Sequence, residues 1–237
     1  MMRAPGRAAG VLLAAIVLTA CASTSVTQRE SRIGNQKLPR PDRILVYDFG
    51  ASPADVPADS ALAGRYDPSQ QPTAEQIEAG RALGAAVARD LAEKIRAMGL
   101  PAQRVTRGTT PQLDDIVIRG YFASIDEGSA VKRMTIGFGA GSSKLTTVVE
   151  GYQMTRQGLR KLGSGTVEAT GSKGPGAAVP AAVAVATANP IGLIVTSAVK
   201  VGGEVTGRST IEGRGEQTAE EIAEQLRSRF EQQGWIP

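Results

Sequence analysis

Apolar residues in this chain recur in two rhythms, and the switches between them mark out the elements. Residues 43 to 49, RILVYDF, are rich in β formers and predict a first strand that Gly50 ends. Residues 51 to 72 hold no sustained period and read as a long surface loop. From Thr73 the rhythm is helical. Thr73-Ala74-Glu75-Gln76 fits a capping box, and Ile77, Leu83, Val87, Leu91 and Ile95 follow on one broad face to about Met98, where Gly99 stops the helix. A short strand around Val105 comes next. Period two then takes over: Ile116, Ile118 and Phe122 alternate with Val117, Arg119 and Tyr121, and Leu145, Thr147 and Val149 alternate with Thr146, Val148 and Glu150. A turn at Arg156-Gln157-Gly158 leads to a fifth strand, Leu159 to Thr170, thinned by Gly163 and Gly165. A second capping box at Thr218-Ala219-Glu220-Glu221 opens a closing helix over 217–233, with Ile222, Leu226 and Phe230 at i, i+4 and i+8 and Trp235 packing beyond its end. The pattern predicts an α/β (α+β) fold: a mixed, mostly antiparallel sheet of about five strands with helices on one face. The last three strands form a meander, and the first strand, helix and second strand a βαβ-like start.

Before this domain, assigned to residues 43–237, the pattern is of another kind. Met1 to Ala20 has a basic start, Arg3 and Arg7, then an apolar run from Val11 to Leu18 and small residues, which is the layout of a secretory signal. Its end, Leu18-Thr19-Ala20-Cys21, resembles the lipobox of bacterial lipoproteins, in which the cysteine becomes the lipidated first residue. Cys21 is the single cysteine of the chain. The polar stretch that follows, within residues 21–42, reads as a flexible stalk.

Composition narrows the chemistry. The 237 residues are 41% hydrophobic but 4% aromatic, so the core is built from Val, Ile, Leu and Ala. The formal charge of +4 falls close to balance once Arg3 and Arg7 leave with the signal, and there is no dense Lys/Arg run, which argues against a nucleic-acid partner. The chain has no histidine. Ser-His-Asp and Cys-His catalysis from its own residues are therefore excluded, and neither a metal site nor a cofactor is expected. Asp114 with Asp115, and Asp126 with Glu127, are adjacent pairs. Neighbouring strand residues point to opposite faces, so they read as strand-edge and turn residues rather than an acid/base pair.

Two stretches stand outside the fold pattern. The connection after the third predicted strand carries Lys132 and Arg133, then Gly137, Phe138, Gly139 and Gly141. It lacks the third glycine of a dinucleotide fingerprint, since position 142 is Ser, and Lys144 follows Ser143 in the reverse of a Walker order. It reads as a bend or bulge with the alternative of an interaction loop. Residues 175–199 contain no charged residue before Lys200, but Pro180, Asn189 and Pro190 interrupt them. Length alone would permit a bilayer span; the breaks favour buried or docking helices and a surface for a protein partner or self-association.

Ile118 to Phe122, Ile125-Asp126-Glu127-Gly128, Lys132-Arg133-Met134 and Ile136-Gly137-Phe138-Gly139-Ala140-Gly141 together resemble an uncharacterised family of bacterial envelope lipoproteins, numbered 4410 among domains of unknown function. RILVYDF and the closing helix match its two ends. The resemblance carries no activity or ligand. It implies a Gram-negative envelope, where Ala22 rather than an aspartate after the lipidated cysteine implies the outer membrane. The expectation is a periplasm-facing protein held to the membrane by its N-terminal lipid, acting without catalysis as a binding, accessory or scaffold component. The alternatives are an oligomeric subunit that inserts 175–199, and an enzyme on carbohydrate or peptidoglycan, which no spaced carboxylate pair supports.

Overall fold

The computed structural model describes residues 23–60, 62–63, 72–126, 144–170, 194–195 and 211–237. Its strands are β1 (Ser23–Ser31), β2 (Ile44–Tyr47), β3 (Ala102–Val105), β4 (Ile116–Asp126), β5 (Lys144–Thr155), β6 (Gly158–Thr170) and β7 (Ile194–Val195); its helices are α1 (Ala74–Ala97) and α2 (Ile211–Gln233). Six strands lie in the order β1-β6-β5-β4-β2-β3, with β7 beside the end of β4. The β4-β5-β6 meander is antiparallel, and β2 is parallel to both β3 and β4, as a βαβ start requires. The expected mixed sheet with helices on one face is what forms.

Local chemistry explains the elements that matched. Thr73 Oγ1 accepts from the Gln76 N–H at 3.2 Å while Gln76 Oε1 accepts from the Thr73 N–H at 2.8 Å, closing the predicted capping box. At the other end of α1, Gly99 takes φ +83°, the left-handed conformation that stops a helix. Leu83, Val87, Leu91 and Ile95 of α1 and Ile222 and Phe230 of α2 are buried in one cluster with Ile44, Val46, Ile116, Ile118 and Phe122 of the sheet. The helices also touch each other. An added Cβ at Gly215 would stand 2.9 Å from Leu83 Cδ1 and 3.1 Å from Val87 Cγ2, so α2 rests on α1 through a glycine.

Four expectations change. Residues 23–31 are not a stalk: β1 pairs antiparallel with β6 from Ser23↔Thr170 to Ser31↔Gly163, so the body begins at least twenty residues before position 43. The polar composition is compatible because an edge strand is held by backbone hydrogen bonds, and Thr24, Val26 and Thr27 are β-branched. The closing helix begins at Ile211, not at the capping box; Thr218 lies inside it, fully buried. Residues 51 to 72 are not featureless, since Pro53–Asp55 form a 3-10 turn with Asp55 buried. Asp115 is more than the strand-edge residue expected. It is buried and accepts both Arg43 Nε, at 3.0 Å, and Arg43 Nη2, and the Gln112 N–H at 2.7 Å.

Candidate functional site

β5 and β6 place three glycines on the sheet face beneath α2. Gly151 pairs directly with Gly163, and Gly165 lies two residues further along β6. A Cβ built on Gly151 would meet nothing within 4 Å. The helix cannot sink to fill this space because it is pinned at both ends. Near its start, buried Arg214 donates to the Thr170 carbonyl at 2.8 Å. At its end Trp235 stacks on Phe230, centroids 5.4 Å apart, and donates from Nε1 to the Leu38 carbonyl at 3.0 Å, while Gln233 Nε2 donates to the Gln36 carbonyl at 2.9 Å. What remains is a half-open groove of about 190 Å³. Its walls are Val26, Ile33, Ile116, Ile118, Val149, Leu162, Val167, Ile222, Leu226 and Phe230. Its polar lining includes Arg29, Glu30, Gln225 and Arg229.

The opposite face of the sheet carries a polar cluster of a different character. Glu150, fully buried, accepts from Lys161 Nζ at 2.5 Å and from the Tyr152 hydroxyl at 2.9 Å. Arg119, paired across the strands with Glu150, stands 5.3 Å from the centre of the Tyr152 ring and 5.7 Å from that of Tyr47. Burial pushes the Tyr152 hydroxyl's pKa up, and its hydrogen bond to the Glu150 carboxylate pushes it further. A buried charge retained with its partners ties β4, β5 and β6 together. Among the described residues no three carboxylates, histidines or cysteines converge closely enough to hold a metal ion. No helix among them is long and apolar enough to cross a membrane, a statement that does not bear on strands.

The residues singled out from sequence, Leu18, Thr19, Ala20 and Cys21 and then Lys132, Arg133, Gly137, Phe138, Gly139 and Gly141, lie outside the described residues. Of residues 175–199 only 194–195 are described, and there the backbone is extended rather than helical, pairing with Ser124 and Ile125 of β4. Their flanks, however, converge. Asp126 pairs with Lys144, Lys144 with Thr170 and Thr170 with Ser23, so the start of β1 and both ends of the 127–143 connection share one end of the sheet. The groove itself was not among the sequence candidates; its one signal was the thinning of the fifth strand by Gly163 and Gly165.

No curated protein matches the chain. Among solved structures, the PelC dodecamer from Paraburkholderia phytofirmans is similar in two crystal forms. A leucine-to-methionine variant is 16% identical, with 63% of this chain and 82% of that one covered at a TM-score of 0.35. The second form is 14% identical, with 63% and 83% covered at 0.36. A likeness this loose carries nothing about activity or partners to this chain. Residues 44–188, more than half of the sequence and reaching from β2 through the end of β6, match the profile described as Domain of unknown function (DUF4410), and the chain belongs to that family.

Proposed function

We propose that the protein is a lipid-anchored, periplasm-facing component of the bacterial outer membrane that acts by binding rather than by catalysis, as an accessory or scaffold of an envelope complex. The observation that carries this reading is the start of β1. Ser23 is already paired with Thr170, two residues after Cys21, and two residues span at most about 7 Å. A lipid on Cys21 would therefore be fastened to the sheet itself. Each buried methylene contributes about 0.8 kcal/mol, so two or three acyl chains hold such a domain stably. The end of the sheet that carries Ser23, Asp126, Lys144 and Thr170 would then face the bilayer. The absence of histidine and the structural role of the Glu150–Lys161 pair support binding over catalysis.

The test is fractionation of cells producing the wild-type chain or Cys21→Ser, the latter exported with an ordinary cleavable signal in place of residues 1–20, with mass measurement of the N-terminal peptide. Wild type should carry diacylglycerol on Cys21 and sediment with outer membrane after alkaline extraction, and Cys21→Ser should appear in the soluble fraction. A Cys21→Ser protein that still resists alkaline extraction would replace the anchor with insertion of residues 175–199.

A further inference from the structure

We infer that the groove beneath α2 binds the alkyl chain of a single-chain anionic amphiphile, with its acidic head held at Arg29 and Arg229. The inference is independent of the anchor on Cys21. An apolar cavity of about 150 Å³ stays dry and admits benzene. The groove, at about 190 Å³ and walled by aliphatic side chains, has room for one chain of about six to eight carbons, the remainder lying along the opening. A two-chain lipid does not fit.

The charge at the rim selects the head group. Arg29 and Arg229 both line the groove, and neither is paired with a carboxylate among the described residues; Arg229 Nη1 donates to Gln232 Oε1 at 3.0 Å. The one acid in the lining, Glu30, is already matched by Arg32 at 2.9 Å. An incoming acid thus meets two cations whose charge is not otherwise consumed. A neutral amphiphile of the same length gains the apolar contact alone. Conformation adds a second argument. Glycine inside a strand is less stable than alanine, and at Gly151 no neighbour forbids a side chain. The open floor has a use if something occupies it.

The experiment uses the mature chain, residues 21–237 carrying Cys21→Ser, purified without detergent, and titrates dodecanoate, dodecanol and phosphatidylglycerol vesicles. Dodecanoate should bind at least tenfold more tightly than dodecanol, and vesicles should not recruit the protein. Gly151→Leu, which fills the floor, should weaken both single-chain probes at least tenfold without lowering the melting temperature; Gly151→Ala should weaken them less and serves if the leucine variant fails to fold. Arg29→Gln with Arg229→Gln should bring dodecanoate down to the dodecanol value. Equal binding of the two probes by the parent chain, or undiminished dodecanoate binding by Gly151→Leu or by Gly151→Ala, would overturn the proposal. So would a concentration-dependent dimer that dodecanoate does not disperse and Gly151→Leu abolishes, since the occupant would then be a second copy of the chain.

Discussion

At Gly84 helix α1 lies so close to the chain leaving β2 that an added Cβ would stand 2.2 Å from the Phe49 carbonyl oxygen, a backbone atom that cannot move aside. The contact is reinforced by the Phe49 N–H, which donates to the Gly84 carbonyl at 3.3 Å. Gly84→Ala should therefore cost about 3 kcal/mol in urea denaturation, the scale of an overpacked core. Unchanged stability would mean that helix and strand stand further apart. Asp55 makes a second residue-scale case. Burial alone would raise its pKa; hydrogen bonds from Arg81, Arg107, Ala51 and Ser52 more than reverse this and hold it at about 2, below the usual 3.8. A carboxylate depressed in the folded state contributes stability that is full above about pH 4 and is lost as the pH falls through about 2. Both arginines are about half exposed, so the contribution is discounted to roughly 1–2 kcal/mol. Asp55→Asn should lose that amount at neutral pH and show a flatter stability profile between pH 4 and 2, measured by thermal melts across that range. A profile as steep as the wild type's would assign the acid sensitivity elsewhere.

Among the elements, those specified by neighbouring residues were legible in the sequence and those specified by distant partners were not. The α1 capping box needs only Thr73 and Gln76, and the β5-β6 turn only Arg156 to Gly158, so local pattern sufficed. β1 resembles a stalk because Ser23 to Ser31 holds a single large aliphatic residue, Val26; what makes it a strand is the free edge of β6, supplied more than 130 residues later. α2 begins six residues before its predicted start because Gly213 and Gly215, which weaken a helix in isolation, include the site that lets it touch α1. The groove was illegible for the same reason. Gly151 and Gly163 signify little separately and form a floor only when the register sets them opposite each other. If β1 belongs to the body, deleting residues 1–31 should leave β6 as an exposed edge, lowering the urea midpoint and promoting aggregation. A truncated chain as stable and monodisperse as its parent would return the segment to a stalk.

For the whole molecule, the strands and their connections define two ends. One carries Ser23, Asp126, Lys144 and Thr170; the other carries the Arg156-Gln157 turn, about 35 Å away along β5. The family match describes the domain without an activity, so the orientation of these ends is where sequence and fold meet a function. A lipid on Cys21, as proposed, would fix it: a short tether would make the Ser23 end the membrane-facing one and would leave the turn pointing away from the bilayer.

The most direct measurement uses the fact that Cys21 is the single cysteine and is consumed if it is lipidated. A fluorophore on Lys144→Cys or on Gln157→Cys, in chains reconstituted into vesicles with an acceptor on the lipid head groups, reads the distance of each end from the bilayer. The account predicts strong energy transfer from position 144 and weak transfer from position 157. Equal transfer from both, or stronger transfer from 157, would contradict it.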